Sequence, residues 1–175
     1  MTDTDFSFDN NLYICKVTAD KKKCPTYLRS IPAVAQLFDR GIGFKKRITV
    51  FMGENGIGKS TLLEAIAAAY GFNPEGGTRN FSFSTYNSHS ELYGALKLSR
   101  GGYPKDGFFL RAESFYNVAS EIERLDNIPA ASPPIIDGYG GVSLHEQSHG
   151  ESFMALAMNR FRGHGPVSYT HLRAH

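Results

Sequence analysis

Apolar positions along the chain recur with two different periods, and the changes of period mark out alternating strands and helices. Residues 12–18, LYICKVT, mix apolar and β-branched types as a strand does, and the lysines and Pro25 of 19–26 read as a turn. Residues 32–38 suit a short helix: Pro32 stands at the first position, where its missing N–H costs nothing, and Gly41 and Gly43 stop it. The run ITVFM at 48–52 has the composition of a buried strand. Residues 61–70 place apolar side chains at 62, 63, 66 and 70, one face of a helix, before the breaker GFNPEGG at 71–77. Phe81-Ser82-Phe83-Ser84 alternates with period two, 88–99 predicts a helix capped by Ser90, FFL at 108–110 a buried strand, and 115–125 a helix. Residues 127–134 form a proline-bearing loop and IIDGYGG at 135–141 a flexible glycine loop. Behind them Phe153, Met154, Leu156, Ala157, Met158 and Phe161 are dense enough for a largely buried helix. The order is that of an α/β domain.

Between the strand at 48–52 and its helix lies Gly53-Glu54-Asn55-Gly56-Ile57-Gly58-Lys59-Ser60, which is G-x-x-x-x-G-K-[ST]. Strand, glycine loop and helix stand in the order a phosphate-binding P-loop requires. Glycines let the backbone curl until successive N–H groups point inward, and a helix opening at Lys59 adds its unpaired N–H groups and positive dipole end. In such a loop Lys59 reaches the β- and γ-phosphates of a nucleotide, Ser60 takes one position on Mg²⁺, and Thr61 completes the cradle. The Gly-Ile-Gly at 41–43 looks like half a dinucleotide fingerprint, but it precedes a strand where that fingerprint follows one.

Composition narrows the class. The chain has 175 residues, enough for one domain with a core, 41% of them apolar and 21% charged. No apolar run is long enough to span a membrane, and the acidic, polar start MTDTDFSFDN is unlike a signal peptide, so a cytoplasmic protein is expected. Cys15 and Cys24 are too few for a zinc site and read as buried free thiols. A net charge of +2 does not argue for nucleic acid, and the basic runs at 21–23 and 45–47 read as solvated turns. Asp137 follows two apolar residues, as the magnesium-binding Asp of a Walker B strand does. Pro133 and Pro134 make that segment a poor central strand, so Asp137 reads as a surface residue.

A second motif sits in LHEQSHGESFMALAMNRFR at 144–162. Ser148-His149-Gly150-Glu151 immediately precedes the last helix and resembles the signature motif of the ABC ATPases, in the S-x-G-[EQ] form of their SMC- and RecF-like branch. Together GENGIGKSTLLEAIA, NPEGG, FFLRAESF and LHEQSHGESF resemble a family of small stand-alone predicted ATPases in that branch, over most of residues 11–164. The resemblance implies a P-loop NTPase fold over 1–165, with the P-loop at 53–60, a smaller lobe at about 72–142 and the signature at 147–152. It also implies that Ser148, His149, Gly150 and Glu151 cap the γ-phosphate of a nucleotide held by a second protomer, so that ATP closes a homodimer. The same residues fit an ordinary serine cap with Glu151 at the third helical position, a capping box, and both roles can hold together. His145 and His149, four apart, have no carboxylate or cysteine partner placed by sequence and are not read as metal ligands.

The chain departs from that family in two places. The family has a glutamine between P-loop and signature that contacts Mg²⁺ and the attacking water, whereas here Gln36 and Gln147 both lie outside that interval. Glu113 or Asn117 is the candidate substitute, Glu113 standing with Lys59 as the proposed catalytic pair. The family also has an apolar Walker B strand ending in Asp-Glu soon after the signature helix, but Gly163-His164-Gly165 leads into PVSYTHLRAH. The last nine residues look like the translation of a sequencing-library adapter, so 166–175 are expected to be a non-native tail on an incomplete domain.

The functional expectation is ATP binding and, in the complete protein, Mg²⁺-dependent hydrolysis that drives dimerisation, with weak binding and no hydrolysis in the chain as given. DNA enters as a partner only by analogy with the fold family. Two alternatives stand beside it: a non-hydrolysing nucleotide-dependent interaction module, and a small-molecule P-loop kinase, which would leave residues 148–151 unexplained.

Overall fold

Val17 has no exposed surface and sits in the middle strand of the larger sheet. That strand, β1 (Lys16–Ala19), runs antiparallel between β2 (Ile42–Gly43) and β3 (Leu96–Ser99), with Val17 opposite both Ile42 and Leu98. The computed structural model describes residues 12–73, 76, 91–102, 107–111, 115–129, 131–160 and 167–170. Within them lie four α-helices, five strands and short 3-10 turns, a mixed helix and sheet fold. The alternating strand expected at 81–84 and the candidate Glu113 lie outside the described residues.

Two helices cover the sheet. In α1 (Pro32–Asp39) Val34 and Leu37 turn inward, and in α2 (Lys59–Tyr70) Leu62, Ala65, Ile66, Ala67 and Tyr70 do so. Leu37, Leu62 and Ile66 meet Val17 in one core cluster. Val34 and Ala65 join Cys24, Leu28, Leu92 and Ala95 in the next. Cys15 and Cys24 are buried free thiols, as expected, and burial pushes the Cys24 thiol pKa up. Helix α2 ends at Gly71, whose φ of 104° is left-handed. The Gly71 N–H reaches the Ala68 carbonyl and the Phe72 N–H the Ala67 carbonyl, closing the last turn.

The second half forms a neighbouring core. Phe108 and Leu110 of β4 (Phe108–Arg111) meet Phe115, Val118, Ala119 and Ile122 of α3 (Phe115–Asp126), Tyr139, Leu144, and Leu156 of α4 (His149–Arg160). Phe109, between them in sequence, points to the other side and packs with Ala67, Tyr70 and Phe72 at the end of α2. Alternation along one four-residue strand therefore joins the two cores. The Asp126 carboxylate accepts the N–H groups of Ile135 (2.6 Å) and Ile136 (2.9 Å), which folds the proline loop back onto α3.

Two expectations are corrected, the strand at 48–52 and the helix over 88–99. Residues 48–52 are not a strand: no described strand pairs with them, and Ile48, Val50 and Met52 are 83%, 68% and 88% exposed. A run of β-forming residues needs a neighbour to satisfy its backbone, and here only Phe51 turns inward, edge-on to Phe44. The described strands of the larger sheet pair antiparallel. Of the helix expected over 88–99, the described part is a 3-10 turn (Glu91–Ala95) followed by β3. Leu96-Lys97-Leu98-Ser99 alternates, and pairing with β1 turns both leucines toward the core, so 96–99 join β1's sheet. The glycine loop expected at 135–141 holds a 3-10 turn, Ile135–Tyr139, and Asp137 is exposed on it, as expected. Residues 167–170, within the segment expected as a tail, form β5 (Val167–Thr170), parallel to β4 with Phe108 opposite Val167. Val-Ser-Tyr-Thr has the β-branched and aromatic content of a strand, and the buried β4 offers it a ladder.

Two outcomes test this arrangement. Phe109→Ala empties the junction of both cores and should cost about 3–5 kcal/mol in urea unfolding. Deleting residues 166–175 strips β5 from β4 and should lower the unfolding midpoint, whereas an unchanged midpoint would mean that β5 contributes nothing to the fold.

Candidate functional site

The turn from Gly53 to Lys59 is built on backbone that only glycine adopts readily. Gly56 and Gly58 have φ of 84° and 98°, and Gly53 lies at 150°. Helix α2 begins directly at Lys59, and its first internal bond runs from the Leu62 N–H to the Gly58 carbonyl at 2.9 Å. The N–H groups of Lys59, Ser60 and Thr61 precede that bond, at the positive end of a twelve-residue helix. The Lys59 ammonium curls back over the turn and donates to the carbonyls of Gly53 and Glu54, both at 2.7 Å. One side chain thus ties the end of the loop to its beginning. Glu54 and Asn55 are exposed, while Ile57, Gly58, Lys59, Ser60 and Thr61 are half-buried.

The far wall of the loop comes from α1. The Ala33 N–H, one of the helix-start donors without an internal acceptor, donates to the Ile57 carbonyl at 3.2 Å. Sequence reading found the helix and the loop separately and had no signal that they touch, because the contact runs through backbone across some two dozen residues of chain.

Left-handed glycines, a helix start and a lysine are the elements from which an anion cradle can be built. A Cβ built on Gly56 would meet no atom within 4 Å, so the space beside that residue is open. The donor set suits phosphate oxygens. For Mg²⁺ it supplies the Ser60 hydroxyl, and among the described residues no group of three or more His, Cys, Asp or Glu side chains gathers as a metal site. A divalent ion would therefore share phosphate oxygens and water with Ser60, as Mg²⁺ commonly does.

The second motif lies elsewhere, at the start of α4 in the core shared with β4 and α3. There Ser148 and Glu151 form a reciprocal capping box. The Ser148 N–H (2.9 Å) and hydroxyl (2.6 Å) donate to the Glu151 carboxylate, and the Glu151 N–H points back to the Ser148 hydroxyl at 3.4 Å. Buried Ser152 adds a bond to the Ser148 carbonyl at 3.0 Å. The Ser148 hydroxyl and N–H hold the Glu151 carboxyl below the usual carboxylate range. His145 is 3.1 Å from the Ser120 hydroxyl and 3.9 Å from Glu123, with Tyr116 edge-on to its ring. Asn117 is half-buried in α3.

Comparison with known proteins places this architecture in a family. The model of a family described as AAA domain matches residues 30–122, just over half of the chain, and the chain belongs to that family. The matched span holds α1, the glycine loop, α2, β3 and β4, and ends before Ser148. Membership makes this an ATPase-type, nucleotide-binding domain in general terms. No curated protein matches, and no solved structure does. Among the described residues no helix is long and apolar enough to cross a membrane.

The capping box makes a pH prediction. Because folding lowers the Glu151 pKa, its contribution to stability is present above the ordinary glutamate value and is lost as pH falls through the lowered one. Ser148→Ala should raise the Glu151 carboxyl pKa toward its ordinary value in an NMR titration, and the stability gap between variant and wild type should narrow in acid.

Proposed function

We propose that the domain binds ATP with Mg²⁺ through residues 53–61. The observation that carries this is the pairing of left-handed glycines with a helix that opens at Lys59, inside a segment that belongs to the AAA domain family. The backbone N–H groups of 56–61 would hold the phosphates. Lys59 would exchange one carbonyl partner for β- and γ-phosphate oxygens, and Ser60 would give its hydroxyl to the metal. Mg²⁺, when bound, would neutralise charge on the phosphoryl group being transferred.

This site would hydrolyse ATP, with Lys59 stabilising the developing charge and Glu113 as the candidate that orients water. Residues 148–151 would then serve a second copy of the chain, capping its γ-phosphate so that ATP closes a homodimer. What supports this is their position at the start of α4. The capping box sets a condition: a phosphate arriving there must displace the Glu151 carboxylate from the Ser148 hydroxyl, since two anions cannot share that donor. DNA maintenance remains the functional setting by analogy alone.

The test is calorimetric. ATP with Mg²⁺ should bind the wild-type chain, and Lys59→Ala, which removes a charge-assisted contact, should weaken it by roughly ten- to a hundredfold. Equal affinity in both would remove Lys59 from the site. A shift in oligomer size with ATP that Ser148→Ala abolishes would support the dimer, and a size that ignores ATP would exclude it.

A further inference from the structure

The phosphate loop does not hold its shape by glycine alone. Gly58, in left-handed backbone at φ 98°, faces Ile31 so closely that a Cβ added to it would lie 2.3 Å from the Ile31 Cγ2. Ile31 cannot step aside easily. It precedes Pro32, which restricts it to extended backbone, and it has φ −69° and ψ 122°. Its branch at Cβ stiffens χ1, and the side chain packs against the cluster of Cys24, Leu28, Val34, Ala65, Leu92 and Ala95. Two residues on, the Ala33 N–H holds the Ile57 carbonyl at 3.2 Å. A trans peptide is planar with its C=O and N–H opposed, so tying the Ile57 carbonyl to α1 turns the Gly58 N–H away from α1.

We propose that Ile31 and the Ala33 amide are positioning groups for the phosphate site: α1 orients the Ile57–Gly58 peptide so that the Gly58 N–H faces the bound phosphate. The proposal rests on the nucleotide-binding reading above and adds to it a residue outside the glycine motif. Ile31 touches no phosphate. It acts through the peptide that does, as a wall against which the loop is curled.

The shape of the side chain provides the test. Ile31→Val keeps both γ carbons and loses only the δ methyl, whereas Ile31→Leu keeps four side-chain carbons but has a single γ carbon. A residue that merely fills space would tolerate leucine at least as well as valine. A wall made by Cγ2 requires the branch, so Ile31→Val should bind Mg-ATP within about twofold of wild type and Ile31→Leu roughly fivefold or more weakly, with similar melting temperatures. Wild-type affinity in Ile31→Leu, or equal losses in both variants, overturns the proposal. A second measurement needs no nucleotide. Gly58→Ala should lower the melting temperature less in an Ile31→Ala background than alone, because the clash is gone; additive losses overturn the contact. If the wild type binds no Mg-ATP, the nucleotide reading falls. Coupling that survives in the stability cycle would then leave Ile31 a packing residue and overturn its positioning role.

Discussion

The glycine loop and the start of α2 meet at the peptide between Ile57 and Gly58, and the shape of both depends on it. Its carbonyl is fastened to the start of α1, its α carbon side is left-handed, and α2 departs immediately from it. From that departure follow the two things α2 does at once. Leu62, Ala65 and Ile66 are driven into the cores with Val17 and Val34, and Lys59, at the opposite end of the geometry, is free to fold back across the loop. A single β-carbon at position 58 would disturb both, since it would meet Ile31 while demanding a backbone that side chains seldom adopt.

The molecule has two cores, and the two sequence motifs belong to different ones. The glycine loop leads the helix that covers β1. Residues 148–151 lead the helix that packs with β4 and α3. Phe109 is the side chain that binds the pair together, reaching Tyr70 and Phe72 while Phe108 and Leu110 face the other way. Tyr70 and Phe72 stack with ring centres 5.6 Å apart, and the Arg100 guanidinium lies 4.6 Å from the Tyr70 ring, at the end of α2.

The segment entering the loop is less satisfied. Ile48, Val50 and Met52 stand out into solvent on alternate residues, while Phe51 alone is held, against Phe44. Such a stripe has the composition of a strand face with no described strand beside it, and three exposed large side chains in five residues carry an unfavourable hydration cost. By contrast Leu96 and Leu98, with a weaker apolar run, are a strand because β1 lies beside them.

Local chemistry was enough to place the glycine loop, α1, α2, α3, α4, β4 and the two buried cysteines, because each announces itself within a few residues: a proline at a helix start, a glycine at its end, an apolar face at helical spacing. The capping box of Ser148 and Glu151 was likewise written in their spacing. Strand pairing was not, since a ladder is a relation between distant segments and propensity carries no partner. So ITVFM stayed unpaired, while LKLS and the VSYT of β5 found neighbours. Nor could any local pattern disclose that α1 braces the phosphate loop: a backbone amide meeting a backbone carbonyl leaves no mark on residue type. The sequence by itself determined where an anion-binding turn could form, and only the tertiary structure decided what holds that turn in shape, because that support comes from Ile31 and Ala33, distant along the chain and adjacent in space.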